Sequence, residues 1–239
     1  MKTEVLTVGQ VPAVLYGDDA PRAFLFLHGQ CGYKEEAAFL AETAVPLGWQ
    51  VLGVDLPQHG GRTDGARLLP WDVVPELQAV MDNMQSRWRH IALHATSIGA
   101  YFGLTALQER PLERCLLVSP LLDMQAMIAG MMAQAGVTEA QLAEKKDVET
   151  GFGPTLSWDY LCWARQHPVT PLCADTRILY GERDGMISRQ TVDAFTSQYG
   201  CRLTVMPEGE LWFHTPGQLR FLRFWQQQQL EANLLRYNT

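Results

Sequence analysis

The chain has 239 residues, of which 47% are hydrophobic and 19% are charged, and its 19 Lys+Arg against 26 Asp+Glu give a formal net charge of -7. This length and composition can bury a substantial core and lie near the upper size of one domain, so we expect a single domain over residues 1–239. The acidic balance without a basic run argues against a nucleic acid as partner, because a phosphate backbone requires clustered Lys and Arg.

The N-terminal segment bears on the compartment, and the cysteines and histidines bear on disulfide bonds and metal sites. Met1–Val5 lacks the positive region and long apolar run of a signal peptide, and no stretch approaches the ~18 apolar residues of a membrane span, so we expect a cytoplasmic protein with no membrane partner. The cysteines form no C-x-x-C pair and the histidines no H-E-x-x-H motif, so the sequence predicts no disulfide framework, no metal site and no cofactor. The cysteines are Cys31, Cys115, Cys162, Cys173 and Cys201.

Short apolar runs alternate with longer amphipathic stretches, which predicts an α/β fold with a mostly parallel sheet and helices on both faces. The link Gly9-Gln10 is too short for a parallel crossover, so we expect the sheet to begin with antiparallel strands. Eight strands are predicted, over Glu4–Val8, Pro12–Tyr16, Ala23–His28, Gln50–Asp55, His90–His94, Arg114–Ser119, Arg177–Tyr180 and Arg202–Met206.

Helices are predicted between most of these strands, with Gly48 and Gly200 as helix stops. Residues 121–155 break the pattern, because four methionines are followed by a charged run, and we expect one or two inserted helices that form a lid beside the site. These methionines are interpreted first as core packing and second as a substrate-facing stripe. The helices are predicted over Lys34–Leu47, Trp71–Trp88, Ile98–Gln108, Ser157–Gln166, Ser188–Gln198 and Gln218–Leu235.

A sharp turn is predicted at Ser97, between a strand and a helix. The small residues Ala95 and Gly99 flank the serine, as an abrupt turn of the backbone requires. Leu93–Gly103 thereby resembles the nucleophile elbow of the α/β-hydrolases, with Ala95 in place of the usual first glycine. The resemblance implies that Ser97 is a nucleophile, and the alternative is a serine that caps an ordinary helix.

The segment His28–Gly32, directly after the third predicted strand, resembles the His-Gly oxyanion loop of the same family. The resemblance implies that the backbone N–H groups of Gln30 and Ile98 stabilise the negative charge that develops on a substrate oxygen, and that His28 is structural. Cys31 is interpreted as an unreactive thiol, because nothing near it in the sequence would lower its pKa.

Two further segments resemble turns of this family. Asp55–Arg62 matches the Asp-x-Pro-x-His-Gly turn after the fourth strand, which implies that Asp55 and His59 organise a loop. The Gly-x-x-Asp that ends at Asp184 matches the turn carrying the triad acid, which would accept the Nδ1–H of an imidazole. Glu182 competes for this role only by its nearness.

The sequence departs from the family at the base. Relatives with this tail read Glu-His-Trp-Phe-His-Thr, with the first histidine as the base, whereas here Leu211 stands at that position. Leucine cannot accept a proton, so the candidate base is His214, brought inward by a shift of its loop. The implied triad is Ser97, Asp184 and His214.

Two functions remain open on this basis. One is a serine hydrolase that acts on a small carboxylic ester or a related acyl compound through this triad, with that small molecule as its partner. The other is a catalytically impaired hydrolase-fold protein that binds a small ligand or a partner, because Leu211 occupies the usual position of the triad histidine. Neither the substrate nor the oligomeric state follows from the sequence.

Overall fold

The computed structural model describes residues 1–173 and 175–231. Ten strands lie in the described residues, and eight of them form one sheet. They are β1 (Thr3–Val8), β2 (Val11–Tyr16), β3 (Arg22–Leu27), β4 (Gln50–Val54), β5 (His90–Thr96), β6 (Arg114–Val118), β7 (Asp147–Val148), β8 (Leu156–Ser157), β9 (Thr176–Gly181) and β10 (Arg202–Met206).

The main sheet has the strand order β1-β2-β4-β3-β5-β6-β9-β10. The strand β2 pairs antiparallel with β1 and with β4, and all other neighbours are parallel. The predicted class and all eight predicted strands are therefore confirmed, including the antiparallel start. The separate antiparallel pair of β7 and β8 was not predicted, because two-residue strands carry no readable periodicity.

Eight α-helices lie in the described residues, as follows: α1 (Ala37–Ala44), α2 (Pro70–Arg87), α3 (Ile98–Ala106), α4 (Met124–Ala135), α5 (Glu139–Lys145), α6 (Trp158–Gln166), α7 (Arg189–Tyr199) and α8 (Pro216–Glu231). The predicted helix Lys34–Leu47 is α1 with a short 3-10 turn at each end. The last part of the predicted helix Gln218–Leu235, residues 232–235, lies outside the described residues. Within the described ranges, no helix has the length and apolar character needed to cross a membrane.

Helices cover both faces of the sheet because its central strands are apolar on both sides; β4 and β6 are buried at every position. One face packs against α2 and α3 and forms a first core cluster, through residues such as Leu77 and Phe102. The other face packs against α1 and α8 and forms a second core cluster, through residues such as Leu40 and Trp225. Because the parallel strands run in one direction, their carboxyl ends lie at one edge of the sheet, where the loops that follow them meet.

The segment 121–155, where inserted helices were expected, contains α4, α5 and β7. The side chain of Asp123 accepts a hydrogen bond from the N–H of Ala126 and caps α4, and Thr138 and Gln141 form a capping box on α5. The methionines of this segment lie in two environments. Met124 and Met132 are buried in the core, whereas Met127 and Met131 are partly buried and line a cavity described below.

A buried ion pair organises the turn after β4. Both carboxylate oxygens of the fully buried Asp55 accept hydrogen bonds, from the N–H of Lys34 at 2.7 Å, from Lys34 Nζ at 2.9 Å and from the N–H of Gly61 at 3.0 Å. Burial opposes ionisation of Asp55, but these hydrogen bonds outweigh it and hold its pKa below the ordinary value. A Cβ on Gly60, whose φ is +56°, would lie 2.1 Å from Asp55 Oδ1, so only glycine fits there.

Asp55→Ala should lower the free energy of unfolding by about 3–5 kcal/mol, because it removes the main partner of a buried ammonium group. Urea unfolding followed by circular dichroism measures this loss. Asp18→Ala, at an exposed position, is the matched control and should change the free energy by less than about 0.5 kcal/mol. Equal losses in the two variants would contradict the structural role of the ion pair.

Candidate functional site

Ser97 lies at an abrupt turn between β5 and α3. Its backbone has φ 50° and ψ −118°, a conformation that costs a residue other than glycine about 1–3 kcal/mol. Neighbouring chain segments hold it there: the N–H of Ser97 donates to the carbonyl of Val118 at 3.0 Å, and the N–H of Leu121 donates to the carbonyl of Ser97 at 3.1 Å. The Ser97 side chain makes no capping hydrogen bond to α3, which argues against an ordinary helix cap.

Small residues around Ser97 are required by close packing. A Cβ on Gly99 would lie 2.3 Å from the carbonyl oxygen of His28, a distance that real side chains do not tolerate. Ala95, the small residue on the other side of the serine, is completely buried. Among the described residues, no side chain or backbone group forms a hydrogen bond with the hydroxyl of the partly exposed Ser97.

The loop after β3 lies directly against this turn. A Cβ on Gly29 would be 3.5 Å from Ser97 Cβ, and the loop closes with a hydrogen bond from the N–H of Gly32 to the carbonyl of Gly29. Gln30 follows Gly29 in this loop, and Ile98 is the first residue of α3, where backbone N–H groups have no acceptor within the helix. The structure thus brings Gln30 and Ile98, the two expected oxyanion donors, to segments that flank Ser97.

His28 and His59 are engaged in holding the loops. His28 Nε2 accepts a hydrogen bond from the N–H of Leu56 at 3.1 Å, and its Nδ1 lies 2.8 Å from the carbonyl of Gly29. His59 Nδ1 lies 2.8 Å from the carbonyl of Pro57. Burial lowers the pKa of His28 to about 4, so its imidazole is neutral at pH 7.

Asp184 lies in the turn after β9 and leaves one oxygen without a partner. Its Oδ1 accepts hydrogen bonds from the N–H groups of Met186 and Ile187, each at 2.9 Å. Its Oδ2 is buried and has no hydrogen-bond partner in the described part of the chain. Burial raises the pKa of Asp184, against the effect of the two backbone hydrogen bonds. An unpaired buried carboxylate oxygen costs free energy and would be satisfied by an imidazole N–H.

The loop after β10 is fixed against this turn. The N–H of Arg183 donates to the carbonyl of Gly209 at 2.7 Å, and a Cβ on Gly181 would lie 2.4 Å from the carbonyl oxygen of Glu210. Glu182 is part of this attachment, because its carboxylate accepts a hydrogen bond from the N–H of Glu208 at 3.0 Å. The contact gives Glu182 a role in holding the loop.

Leu211 and His214 occupy opposite environments on that loop. Leu211 packs against the first core cluster, whereas the side chain of His214 is 48% exposed. His214 Nδ1 lies 3.0 Å from the carbonyl of Trp212 and 3.4 Å from Glu210 Oε2. No hydrogen bond connects His214 to Ser97 or Asp184 within the described ranges. Ser97 and the two expected oxyanion donors therefore lie together, and His214 is not joined to them.

The attachment of His214 explains its exposed position. Phe213 is buried in the second core cluster beside Trp225, and the N–H of His214 donates to Gln218 Oε1 at 3.1 Å. The N–H of Thr215 also donates to Gln218 Oε1, and the N–H of Gln218 donates to the hydroxyl of Thr215. These two reciprocal hydrogen bonds cap the start of α8. Bringing His214 inward therefore requires Phe213 to leave the core or the first turn of α8 to rearrange.

A cavity of about 470 Å³ lies next to residues that contact Ser97 and Asp184, although neither of these two lines it. Leu121, which binds the carbonyl of Ser97, lines it, and so does Ile187, which binds Asp184. Most of its other walls are apolar and come from α4 and the loops that face it, and they include Met127, Met131, Phe152 and Met186. The sequence located this insertion but not the cavity, which forms between segments that are distant along the chain.

No group of three or more His, Cys, Asp or Glu side chains comes together as a metal site in the described part of the chain. His90 and His94 lie four residues apart on β5, but they have separate partners. His94 Nε2 lies 3.0 Å from Gln226 Nε2, and His90 Nδ1 contacts Glu113.

No protein-family model matches the chain. Among curated proteins it is similar to the hydrolase pyiE of Pyricularia grisea, with 30% identity over 122 residues that cover 45% of this chain. The chain spans only 26% of that relative's length.

Solved structures with the same backbone arrangement cover nearly the whole chain. Est1E from Butyrivibrio proteoclasticus, solved with ferulic acid bound, matches with a TM-score of 0.75 and 18% identity, over 97% of this chain and 99% of that one. Mouse alpha/beta hydrolase domain-containing protein 10 matches with a TM-score of 0.72 and 14% identity over 100% of both chains. XC6422 from Xanthomonas campestris, an α/β serine hydrolase without a lid, matches with a TM-score of 0.63 and 17% identity over 97% and 94%.

The buried histidines predict a dependence of stability on pH. Burial lowers the pKa of His28 to about 4 and that of His94 to about 3, whereas an unfolded histidine titrates near 6.5. Below pH 6.5 the unfolded chain therefore binds protons that the folded chain does not. Between pH 6.5 and 5, each of the two should reduce the free energy of unfolding by up to about 1.4 kcal/mol per pH unit as the pH falls.

Urea unfolding at pH 7, 6 and 5 measures this slope. His94→Gln should flatten it by the share of one histidine, and His167→Gln, at an exposed position, should leave it unchanged. A wild-type slope in His94→Gln would contradict the prediction.

Proposed function

The chain has the α/β-hydrolase fold, and on that premise we propose that it hydrolyses a small carboxylic ester or a related acyl compound with Ser97 as the nucleophile. The observation that carries the proposal is the conformation of Ser97. Its backbone is strained, its hydroxyl is free of hydrogen bonds within the described residues, and the loop of Gly29 and Gln30 lies against it. Such strain persists only where the surrounding structure enforces it, and it typically marks functional positions.

In the proposed reaction, Ser97 Oγ attacks the carbonyl carbon of the substrate and gives its proton to a base. The N–H groups of Gln30 and Ile98 stabilise the oxyanion, and loss of one such donor typically costs about 10²–10³ in rate. The leaving group takes the proton from the base and departs, which leaves an acyl group on Ser97. Water activated by the same base then releases the acid and restores the serine.

We assign His214 as the base and Asp184 as the acid of this site. Support for Asp184 comes from its buried Oδ2, which has no partner in the described part of the chain and is suited to accept an imidazole N–H. His214 is the histidine on the loop attached to the turn of Asp184, and it reaches Ser97 in this proposal only when the segment from Leu211 to His214 changes conformation.

The cavity favours an apolar acyl group. Its volume of about 470 Å³ lies within the range of small-molecule sites, and methionine and phenylalanine side chains adapt to aliphatic or aromatic groups. The ferulic acid bound to Est1E is an aromatic acid of a size that such a cavity accommodates. In this proposal the insertion at 121–155 is the lid that covers the acyl group.

A second function, ligand binding without turnover, is favoured by Leu211. An aliphatic side chain stands at the position of the usual base, and Phe213 and Gln218 hold His214 on the outside of the loop. On this reading the cavity binds a small acid or ester, and Ser97 remains as an unactivated hydroxyl. The two functions differ in what His214 does, which variants can decide.

Ser97 should react with a fluorophosphonate probe in the folded protein. Intact-mass analysis is expected to show one adduct on the wild type and on Ser86→Ala, an exposed control serine, and none on Ser97→Ala. Hydrolysis of p-nitrophenyl butyrate should be lost in Ser97→Ala only. An adduct that persists without Ser97, or a wild-type protein that takes up no probe, would reject the proposed nucleophile.

The base is tested by His214→Gln and Leu211→His. If His214 is the base, His214→Gln should lower kcat by about 10²–10⁴, and His167→Gln should not. If the second function is correct, His214→Gln should change nothing, whereas Leu211→His should raise esterase turnover by about 10²–10⁴ because it supplies an imidazole at the position of the usual base. The comparison of wild type with His214→Gln separates the two, and the double variant Leu211→His/His214→Gln is the control that shows whether residue 211 alone can supply the base.

A further inference from the structure

Three cysteines meet at the edge of the sheet opposite to Ser97. Cys115 is the second residue of β6, Cys173 lies shortly before β9, and Cys201 directly precedes β10. The sulfurs of Cys115 and Cys173 are 3.5 Å apart, and Cys173 Sγ lies 3.9 Å from the hydroxyl of Thr176. All three are free thiols, and the proposed reaction at Ser97 uses none of them.

We propose that Cys115 and Cys173 are a modification site, which a peroxide oxidises to a reversible disulfide. The proposal stands on the contact between two thiols that are 58 positions apart in the chain. It does not depend on the proposed hydrolysis, because the pair lies at the N-terminal ends of β6 and β9, whereas Ser97 and Asp184 follow the C-terminal ends of β5 and β9.

The geometry permits the bond. A disulfide has its sulfurs about 2.05 Å apart, so the two sulfurs must approach by about 1.5 Å. Cys115 is fixed in the sheet, but Cys173 lies in an irregular segment between α6 and β9. The N–H of Cys115 donates to the carbonyl of Asp175 at 3.1 Å, which keeps this segment beside β6. Rotation of the Cys173 side chain therefore supplies most of the required movement.

The two thiols have different reactivities. Cys173 is partly exposed, and the hydrogen bond from Cys115 lowers its pKa despite the opposing effect of burial. Cys115 is buried, and its pKa is raised by the same contact and by burial. Since the thiolate is the nucleophile, Cys173 reacts first and Cys115 is the resolving thiol.

The reaction balances with hydrogen peroxide as the oxidant. The Cys173 thiolate attacks one peroxide oxygen, the O–O bond breaks, and a sulfenic acid forms as hydroxide leaves. Cys115 sulfur then attacks Cys173 sulfur, an S–S bond forms, and the S–O bond breaks. The two thiol protons convert both hydroxides to water. Overall, two thiols lose two electrons and one peroxide becomes two waters.

The bond would connect the two ends of a large segment. The chain between Cys115 and Cys173 contains α4, α5, α6 and the pair of β7 and β8, and therefore most of the walls of the cavity. A cross-link that closes such a long loop restricts the unfolded chain and stabilises the folded one. Oxidation should therefore raise the thermal unfolding midpoint by several degrees, and reduction should reverse the rise.

The test is peptide mapping of the full chain after treatment with one equivalent of hydrogen peroxide. Free thiols are blocked under denaturing conditions, and the unreduced digest is analysed by mass spectrometry. The expected product is a linked pair of peptides that carries Cys115 and Cys173, lacks two hydrogens and disappears with dithiothreitol. Cys201→Ser should give the same link, and so should Ser97→Ala, which separates this result from the fate of the proposed hydrolysis.

Two outcomes would overturn the proposal. One is a link between Cys173 and Cys201, or one between two chains through the exposed Cys31, in place of the expected pair. The other is the absence of any link in a wild type whose Cys173 is oxidised. Cys115→Ala and Cys173→Ala should both lose the rise in unfolding midpoint, and circular dichroism of each reduced variant shows that it is folded.

Discussion

The strained turn at Ser97 is the constraint on which the site depends. Its positive φ is held from three sides: by the closeness of Gly99 to the carbonyl of His28, by the hydrogen bond to Val118, and by the one from Leu121. A side chain at position 99 would separate α3 from the loop after β3. The same packing that strains the serine therefore also sets the distance between its hydroxyl and the loop of Gln30.

The two halves of the site rest on different parts of the core. The Ser97 half is built from the central parallel strands, whose ends converge at one edge of the sheet. The half with Asp184 and His214 is held by the contact between Gly181 and the loop after β10. It is also held by Phe213, which is buried in the second core cluster. That anchor leaves the imidazole of His214 outside and leaves Asp184 Oδ2 unpaired in the described part of the chain. In the proposed hydrolysis this anchor is released so that His214 can reach Ser97. In the proposed ligand binding without turnover, the anchor stays in place.

The two edges of the sheet carry different chemistry. At one edge lie the serine, the carboxylate and the apolar cavity, and at the other lie the thiols of Cys115 and Cys173. A disulfide between Cys115 and Cys173 would restrain the walls of the cavity, because the chain between these two cysteines contains α4 and the loop of Phe152.

The sequence by itself determined the α/β class, the eight strands of the sheet and the turn at Ser97. These features follow from local information: the period of apolar residues within one element, and small residues that a tight turn needs within a few positions. The inserted helices also followed from their composition, but the pair of β7 and β8 did not, because it is held by contacts with neighbouring elements.

Only the tertiary structure decided the features that join distant segments. The sequence shows leucine at position 211, where the resemblance places the usual base, but the outward position of His214 depends on Phe213 entering a core that also contains Trp225. The unpaired oxygen of Asp184, the cavity between α4 and the loop of Ile187, and the contact of Cys115 with Cys173 likewise have no pattern along the chain. Side-chain direction and burial at these positions are set by packing between elements, which residue spacing does not encode.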